Sequence, residues 1–451
     1  MSLYNTLFNS NRKHQKLYGS VSYMKNKDLR KLFHRKPQGI SLDGIKHLKS
    51  EFSKLSTLVI AQPGSGKSTL IKSTILQKIA KYPHSFWVID PASDIYRDTH
   101  RWIESQSMDS VVINLDSASE SVKINILEFA AKTTNGIEDL ASLFMQIQYE
   151  KSSGGDPFWK DSAENMLVLL MRCVTAESQQ ELPRTLNTVY TLLNWFGLAE
   201  EKLDRFVITH LKNDEKTKEE YKAMVANSGE NSKMLLSVVS TAKSALAKIV
   251  NNTTLNEIIS STSYDITSLR KKAQGIYIQV REDRLGNSGV KAMLSILNKM
   301  LLGQCMELPK KGEEQLDVHA YIDEAGTFYL QNLDSYIVVM RKRAVSIMLI
   351  FQDLHQLDMY GTSQKKVIAS NCMNKIIFGS VSYETASWAS KLVGNDTKEV
   401  FERPVGVPLI SAQELRDLPV NSFLYLHKNK AKIMTMRPWY KQRRLVKRSR
   451  L

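Results

Sequence analysis

The sequence lacks the marks of several large protein classes. Its 451 residues include three cysteines, Cys173, Cys305 and Cys372, which are far apart and in no metal-ligand spacing. This number and spacing argue against a disulfide framework and against a zinc site, so we interpret them as buried thiols in a reducing compartment. No apolar run approaches the roughly 18 residues of a membrane span, and the N-terminus lacks the apolar core of a secretory signal. We therefore expect a cytoplasmic protein without a transmembrane segment.

Acidic residues are also scarce at both ends of the chain. Residues 418–451 contain 10 Lys/Arg and no Asp/Glu, and residues 1–54 contain 12 Lys/Arg against 3 Asp/Glu. The remaining 363 residues, with 40 basic and 43 acidic groups, are almost neutral. Basic ends on a neutral body indicate arms for a polyanion, either nucleic acid or an anionic membrane face, and solubilising disordered tails are the alternative. The densest basic stretch contains Lys441, Arg443, Arg444, Lys447, Arg448 and Arg450.

The most informative motif is a glycine-bearing turn between an apolar run and a helical pattern. Residues 61–69 read AlaGlnProGlySerGlyLysSerThr and follow Leu58-Val59-Ile60. In such a turn the backbone N–H groups can surround phosphates, the lysine can reach the β- and γ-phosphates, and the serine hydroxyl can bind Mg²⁺. The alternative is a chance Gly/Ser turn, and Ala61 stands where the common pattern has its first Gly. We predict ATP or GTP binding, with phosphate ligands Gly64, Ser65, Gly66, Lys67, Ser68 and Thr69 and with Ser68 on the metal.

Short apolar runs separated by helical patterns predict an α/β fold. The runs are rich in β-branched and aromatic residues and are apolar on both faces, as in a mostly parallel sheet covered by helices on both sides. They are Thr57 to Ala61, Phe86 to Asp90, Val111 to Ile113, Ile276 to Val280, Val318 to Ile322, Val345 to Phe351, Ile376 to Phe378 and Phe423 to Leu426.

The strand pattern is interrupted between about residues 158 and 261, where the apolar spacing is helical. This predicts an all-α domain inserted into the sheet domain, with the polar stretch 212–233 forming a loop or an exposed helix. The expected organisation is a basic N-terminal arm (1–47), a nucleotide-binding domain in two parts (48–157 and 262–440), the inserted all-α domain (158–261) and a basic C-terminal tail (441–451).

A pair of acids supplies the second part of the predicted chemistry. Asp323 and Glu324 follow the buried run Val318 to Ile322. An acid at the end of such a strand can hold Mg²⁺, and the next acid can activate the attacking water, although acids also end ordinary strands. Together with Lys67 and Ser68, the pair favours ATP hydrolysis over phosphoryl transfer to a small acceptor.

Two further candidates flank the strand predicted at residues 345–351. Gln352 follows its end, where an amide can sense the γ-phosphate or position water if this strand neighbours the phosphate-loop strand. Arg341 begins the triplet Arg341-Lys342-Arg343 just before the strand. Such a cluster can supply an arginine finger to a neighbouring subunit, or it can be an ordinary solvated face.

With these motifs the chain resembles the TraG/TraD-like coupling ATPases of conjugation and type IV secretion. The resemblance rests on the phosphate loop and on IleAspPro at 89–91, IleAsnIleLeuGlu at 124–128, AspProPheTrp at 156–159, TyrIleAspGluAla at 321–325, ArgLysArg at 341–343 and PheGlnAsp at 351–353. It runs from about residue 38 to 426, and AspProPheTrp is its most discriminating element.

The resemblance implies a RecA-like P-loop domain with the all-α domain inserted between its nucleotide motifs. It implies a hexameric ring that uses ATP and Mg²⁺ to bring relaxase-bound DNA, without sequence preference, to a secretion channel. Under this interpretation Lys67 and Ser68 bind phosphate and Mg²⁺, and Asp323 holds the metal. Glu324 activates water, and Arg341 acts on a neighbouring subunit. The same resemblance implies Arg97 as a second arginine and relaxase and channel proteins as partners. The role of Gln352 as the γ-phosphate sensor follows instead from its position after the strand.

The family's usual N-terminal membrane-spanning helices and acidic C-terminal extension have no counterpart in this sequence. We therefore expect any position at the inner face of the cell membrane to be peripheral and to depend on a partner or on the basic N-terminal arm. Two other functions stay open: a DNA translocase of the FtsK/HerA type or secretion-channel assembly ATPase, and a non-hydrolysing adaptor that docks DNA-bound cargo.

Overall fold

A computed structural model describes residues 19–149, 157–177, 179–211, 214–226, 232–307, 315–400 and 403–451. Asp156 of the AspProPheTrp motif and residues 1–18 of the basic N-terminal arm lie outside these ranges. The strands are, in chain order, β1 (Phe33–His34), β2 (His47–Leu48), β3 (Thr57–Ile60), β4 (His84–Asp90), β5 (Asp109–Asn114), β6 (Gln274–Gln279), β7 (Asp317–Ile322), β8 (Val345–Phe351), β9 (Asn374–Phe378), β10 (Asn395–Val400), β11 (Arg403–Pro408), β12 (Ser422–His427) and β13 (Lys430–Thr435).

Helices surround these strands. The helices are α1 (Asn26–Leu32), α2 (Ser50–Ser53), α3 (Lys67–Ile75), α4 (Asp94–Glu104), α5 (Ile126–Ala131), α6 (Gly136–Tyr149), α7 (Pro157–Thr175), α8 (Leu186–Trp195), α9 (Glu200–His210), α10 (Glu215–Ala226), α11 (Ser232–Val250), α12 (Thr253–Ile259), α13 (Ser288–Gln304), α14 (Leu333–Val339), α15 (Gly361–Asn371), α16 (Tyr383–Val393), α17 (Ala412–Arg416) and α18 (Arg443–Ser449).

The central sheet has nine strands in the order β13-β12-β9-β3-β8-β7-β4-β6-β5. The strands from β9 to β5 run parallel, whereas β12 and β13 add an antiparallel edge. Successive residues of β3 enter opposite cores: Leu58 and Ile60 pack with one cluster, and Val59 packs with the other. Burial on both faces explains why these strands are continuous apolar runs in the sequence. The α/β fold with a mostly parallel sheet is confirmed.

The order of the strands places the predicted motifs side by side. Strand β8 lies between β3, which leads into the phosphate loop, and β7, which leads into Asp323 and Glu324. Because parallel strands end at the same edge of a sheet, the residues that follow β3, β7 and β8 converge. The condition set for Gln352, that its strand neighbours β3, is therefore met.

Between β5 and β6 the described residues contain helices α5 to α12 and no strand. Helix α11 packs on α7 and α8, and its inward side chains Ala242, Leu246 and Ile249 are buried. Within the polar stretch 212–233, residues 215–226 form helix α10. Domain boundaries at 158 and 261 remain a proposal.

The C-terminal residues differ from the disordered tail that the sequence left open. Residues 443–449 form α18, which packs on α4 with Leu445 only 2% exposed. Burial of such a leucine contributes about 2 kcal/mol toward holding this short helix in place.

The three cysteines are free and buried, as interpreted from the sequence. Burial raises the pKa of each thiol to about 12. Among the described helices, none combines the length and the apolar character needed to cross a bilayer.

Candidate nucleotide-binding and catalytic site

The phosphate loop leaves β3 and turns directly into helix α3. Its first residue donates its N–H to the carbonyl of Phe351 at 2.9 Å, which extends the pairing of β3 with β8. Gly64 and Gly66 have φ angles of +78° and +118°, a region that favours glycine. Helix α3 begins at Lys67, so the free N–H groups of its first turn and the loop backbone face one concavity.

Gly66 meets a second requirement besides its backbone angle. A Cβ atom at this position would lie 2.7 Å from Oδ1 of Asn421, whereas one at Gly64 would meet nothing within 4 Å. Asn421 also donates its backbone N–H to the carbonyl of Ser65 at 3.3 Å. The residue just before β12 thus supports the phosphate loop from the side. Sequence reasoning missed Asn421, and its only local signal is that Asn tolerates the positive φ of 64° found here.

Lys67 forms the centre of an ion-pair cluster with both predicted acids. Its ammonium group makes a short contact with Oε1 of Glu324 and lies 3.6 Å from Oδ1 of Asp323. Burial alone would lower the pKa of Lys67, but the two carboxylates outweigh it and the pKa is raised. The lysine is therefore cationic and positioned where it can bind a phosphate.

The turn after β7 orients the two acids. Glu324 has a φ of +54°, the left-handed region, which costs a residue with a side chain about 1–2 kcal/mol. The cost is offset by hydrogen bonds: the N–H of Glu324 donates to Oδ1 of Asp323 at 2.9 Å, and the N–H of Ala325 donates to the carbonyl of Ile350 at 2.9 Å. The strained turn directs both carboxylates toward Lys67.

Burial is the main influence on Asp323. The carboxyl is almost fully enclosed, which raises its pKa to about 6; the charge of Glu324 adds to the increase and Lys67 opposes it. A single nearby lysine does not fully neutralise an enclosed carboxylate beside a second acid. Such a carboxylate is therefore suited to binding a divalent cation.

Gln352 joins the same cluster from strand β8. Its Nε2 donates to Oε2 of Glu324 at 2.7 Å, so Glu324 bridges Lys67 and Gln352. The backbone of Gln352 is fixed on both sides: its N–H donates to Oε1 of Gln356 at 2.7 Å, and its carbonyl accepts from Nε2 of Gln62 at 3.2 Å. The structure therefore brings Lys67, Asp323, Glu324 and Gln352 together.

The remaining loop residues fit a nucleotide and Mg²⁺. The hydroxyl of Ser65 is buried without a hydrogen-bond partner, which leaves a donor for a phosphate oxygen. Ser68 and Thr69 lie in the first turn of α3 and are partly exposed. Within the described ranges no three His, Cys, Asp or Glu side chains form a metal-binding group. A metal held by Ser68, Asp323 and phosphate oxygens is the arrangement typical of Mg²⁺.

Arg341 lies far from this cluster. It is exposed in the 3-10 helix Met340–Arg343, which precedes β8, whereas Gln352 follows β8. The strand separates the two residues by about 20 Å, because each strand residue adds about 3.3 Å. Arg341 is therefore at the opposite edge of the sheet from the phosphate loop of its own chain. Arg97 is on the first turn of α4, is largely exposed and pairs with Asp98 at 3.5 Å.

A sequence model of the family described as "Type IV secretory system Conjugative DNA transfer" matches residues 12–448. No curated protein sequence matches the chain significantly. Among solved structures, the plasmid coupling protein TrwB in complex with ADP and Mg²⁺ is 14% identical, with a TM-score of 0.70 and 94% of each chain covered. TrwB in complex with a non-hydrolysable ATP analogue is 14% identical, with a TM-score of 0.69, covering 94% of this chain and 97% of that chain. VirB4 of Thermoanaerobacter pseudethanolicus is 14% identical, with a TM-score of 0.54, covering 89% of this chain and 96% of that chain. These structural likenesses show a shared fold.

Proposed function

The chain belongs to the family of type IV secretory system conjugative DNA transfer proteins, as a TraG/TraD-like coupling protein, and from this premise we propose that it hydrolyses ATP. The energy would serve to engage DNA, or DNA with a bound relaxase, and to deliver it to a conjugative secretion channel. The observation that carries the proposal is the continuous contact from Lys67 through Glu324 to Gln352, with Asp323 beside it.

Each residue of the cluster has a separate role in this proposal. Lys67 and the loop backbone bind the phosphates, and Ser68 and Asp323 hold Mg²⁺, which when bound neutralises phosphate charge. Glu324 accepts a proton from the attacking water, and Gln352, hydrogen bonded to Glu324, responds to the γ-phosphate. Because Lys67 currently contacts both acids, a phosphate that binds Lys67 would free Glu324 to act as a base. TrwB has the same fold and is described with ADP and Mg²⁺, which supports these cofactors here.

The position of Arg341 supports an active site completed by another subunit. It is exposed and cannot reach the phosphate loop of its own chain, so a neighbouring copy is the reachable target. We propose a homo-oligomer, a hexamer in its active form, in which Arg341 stabilises charge on the nucleotide of the next subunit. Arg97 is the weaker candidate because Asp98 already pairs with it.

A peripheral position at the inner face of the cell membrane, held by a partner or by basic residues, belongs to the same proposal. Relaxase and channel proteins are the partners it requires. Their contact surfaces would be distinguished by binding assays with the purified components.

The second candidate function is that of a secretion-channel assembly ATPase or a DNA translocase of the FtsK/HerA type. It would use the same nucleotide site, but the family model that matches residues 12–448 favours the conjugative coupling protein. A non-hydrolysing adaptor would use the same pocket without turnover.

One experiment separates these functions. The molecular mass of the purified protein is measured in solution. Its ATP turnover is then measured without DNA and with single-stranded or double-stranded DNA. DNA-stimulated turnover supports a DNA motor, either the coupling protein or a translocase of the FtsK/HerA type. DNA-independent turnover favours an assembly ATPase, and nucleotide binding without turnover in an oligomer identifies the adaptor.

A further inference from the structure

The last sixteen residues run alongside the phosphate-loop helix. We name residues 436–451 the C-terminal segment. At the start of α3, Cε of Met436 is 3.6 Å from the position of a Cβ on Gly66. In the second turn, Nζ of Lys72 is 5.9 Å from the ring centroid of Trp439. At its end, Nη1 of Arg448 donates to the carbonyl of Leu76 at 2.6 Å. The segment therefore contacts α3 from the phosphate loop to its C-terminus.

The segment is also anchored on α4, the next helix along. The guanidinium of Arg448 lies 3.8 Å from the ring centroid of Trp102, a stacked cation–π contact. Nη1 of Arg101 donates to the carbonyl of Leu451 at 3.2 Å, and Leu445 is buried against the same helix. Lys72 of α3 pairs with Asp98 of α4 at 2.7 Å. Helices α3 and α4 and the segment thus form one connected body.

The outer face of the segment is basic and unneutralised. Within the described part of the chain no acid forms an ion pair with the five exposed cations of this face, which we name the basic face: Lys441, Arg443, Arg444, Lys447 and Arg450. Tyr440, about half exposed, lies next to them. Holding five like charges together is unfavourable unless an anionic partner neutralises them.

We propose that the basic face binds the phosphate backbone of DNA and that this binding changes nucleotide affinity at the phosphate loop through α3. The inference rests on the proposed function, because it connects a DNA-binding surface of the coupling protein to its nucleotide-binding site. DNA is favoured over a membrane because the two apolar residues of α18 are not free: Leu445 is buried against α4, and Val446 is partly buried. A membrane-binding helix needs its apolar face free.

The first test removes four of the five cations of the basic face. In the variant Arg443→Gln, Arg444→Gln, Lys447→Gln, Arg450→Gln, the slope of log affinity for fluorescent DNA against log salt should become shallower by up to about 3 units, since each phosphate contact contributes roughly 0.7 to 0.9. The loss should be similar for unrelated DNA sequences. The control replaces four exposed lysines elsewhere with Gln and should keep the slope: Lys132, Lys216, Lys222 and Lys391.

The second test keeps the basic face and weakens its connection to α3 and α4. Trp439→Leu and Arg448→Gln should retain most DNA affinity. The affinity for a fluorescent ATP analogue, measured with and without saturating DNA, should differ in the wild type and become equal, to within about twofold, in these variants. By linkage, the effect of nucleotide on DNA affinity should disappear to the same degree.

Thermal unfolding checks that every variant is folded. An unchanged salt slope in the four-Gln variant would overturn the DNA surface, and loss of binding to anionic vesicles with that slope unchanged would reassign the face to a membrane. Equal nucleotide affinity with and without DNA in the wild type would overturn the coupling. Nucleotide binding that responds to DNA without any ATP turnover would support this inference while contradicting hydrolysis.

Discussion

Lys67 and Glu324 share one ion pair but act at different stages of the proposed reaction. Lys67 supplies charge to bound phosphate, whereas Glu324 acts on the attacking water. Lys67→Ala should weaken ATP binding by about 10- to 100-fold, the value of a hydrogen bond to a charged group. Glu324→Gln should keep ATP binding and reduce turnover by about 10² to 10⁴, the contribution of a general base. Equilibrium binding and single-turnover assays measure the two effects, and wild-type turnover in Glu324→Gln would contradict the assignment.

Asp323 makes stability depend on pH. Its pKa of about 6 in the folded protein exceeds the value of about 4 expected when unfolded. The folded state therefore holds its proton more tightly, and stability is lost as the pH rises from about 4 to 6. Asp323→Asn should raise the free energy of unfolding at pH 7 by about 1–3 kcal/mol without nucleotide, and the difference should vanish below about pH 4.

Urea unfolding at several pH values measures this difference, with the exposed Asp417→Asn as the control. The gain in stability should come with weaker Mg²⁺-dependent ATP binding, because the proposed metal ligand is lost. A variant that is no more stable than wild type at pH 7 would refute the raised pKa.

At the scale of elements, the phosphate loop packs against Asn421, the residue just before the β12–β13 hairpin, and this contact should affect the stability of the protein. Gly66→Ala should destabilise the protein by about 2 kcal/mol or more, through backbone strain at φ +118° and through the clash with Asn421. Gly64→Ala keeps the strain without the clash and should cost less. Adding Asn421→Gly to Gly66→Ala should relieve the clash, and so regain that part of the lost stability, but should leave the backbone strain. Urea unfolding of the four proteins tests this, and equal costs for Gly64→Ala and Gly66→Ala would exclude the contact.

The sequence predicts those elements whose characteristic residues are adjacent in the chain. The buried parallel strands appear as apolar runs, and the phosphate loop and the Asp323-Glu324 pair each occupy adjacent residues. The antiparallel strands β1, β2, β10, β11 and β13 were missed. They are only two residues long, or rich in polar residues as Asn395–Val400 is, or interrupted by Pro and Gly as Arg403–Pro408 is. Asn421 was missed because its partner Gly66 is distant in sequence. The order of strands, which places β8 between β3 and β7, is decided by tertiary packing alone.

At the scale of the whole molecule, the described residues 19–54 of the basic N-terminal region contact the basic C-terminal region, residues 418–451. The backbone N–H of Arg437 donates to the carbonyl of Asp43 at 3.1 Å, and Lys430 pairs with Asp28 at 2.6 Å. Part of the basic charge that the sequence divides between its two ends therefore lies close together in the described structure. Its long-range field should attract a polyanion at a rate that falls as salt is added.

The proposed assembly makes a prediction about mixed subunits. Arg341→Ala and Lys67→Ala should each lose ATP turnover, but mixing them should restore part of it. Some interfaces would then pair an intact phosphate loop with an intact arginine. Turnover of defined mixtures is measured together with their mass in solution. Mixed oligomers without recovery, or a fully active monomer, would refute a role for Arg341 across the interface.

Strand β8 has a consequence for such a ring. Gln352 follows one end of this fully buried strand, and Arg341 lies shortly before the other end. Because it is packed closely on both faces, such a strand can transmit a displacement from one end to the other. If Arg341 reaches the next subunit, a shift of β8 when one γ-phosphate leaves would move the arginine at the neighbouring nucleotide. Hydrolysis would then pass around the ring in order, from subunit to subunit, with the direction fixed by the polarity of a single strand.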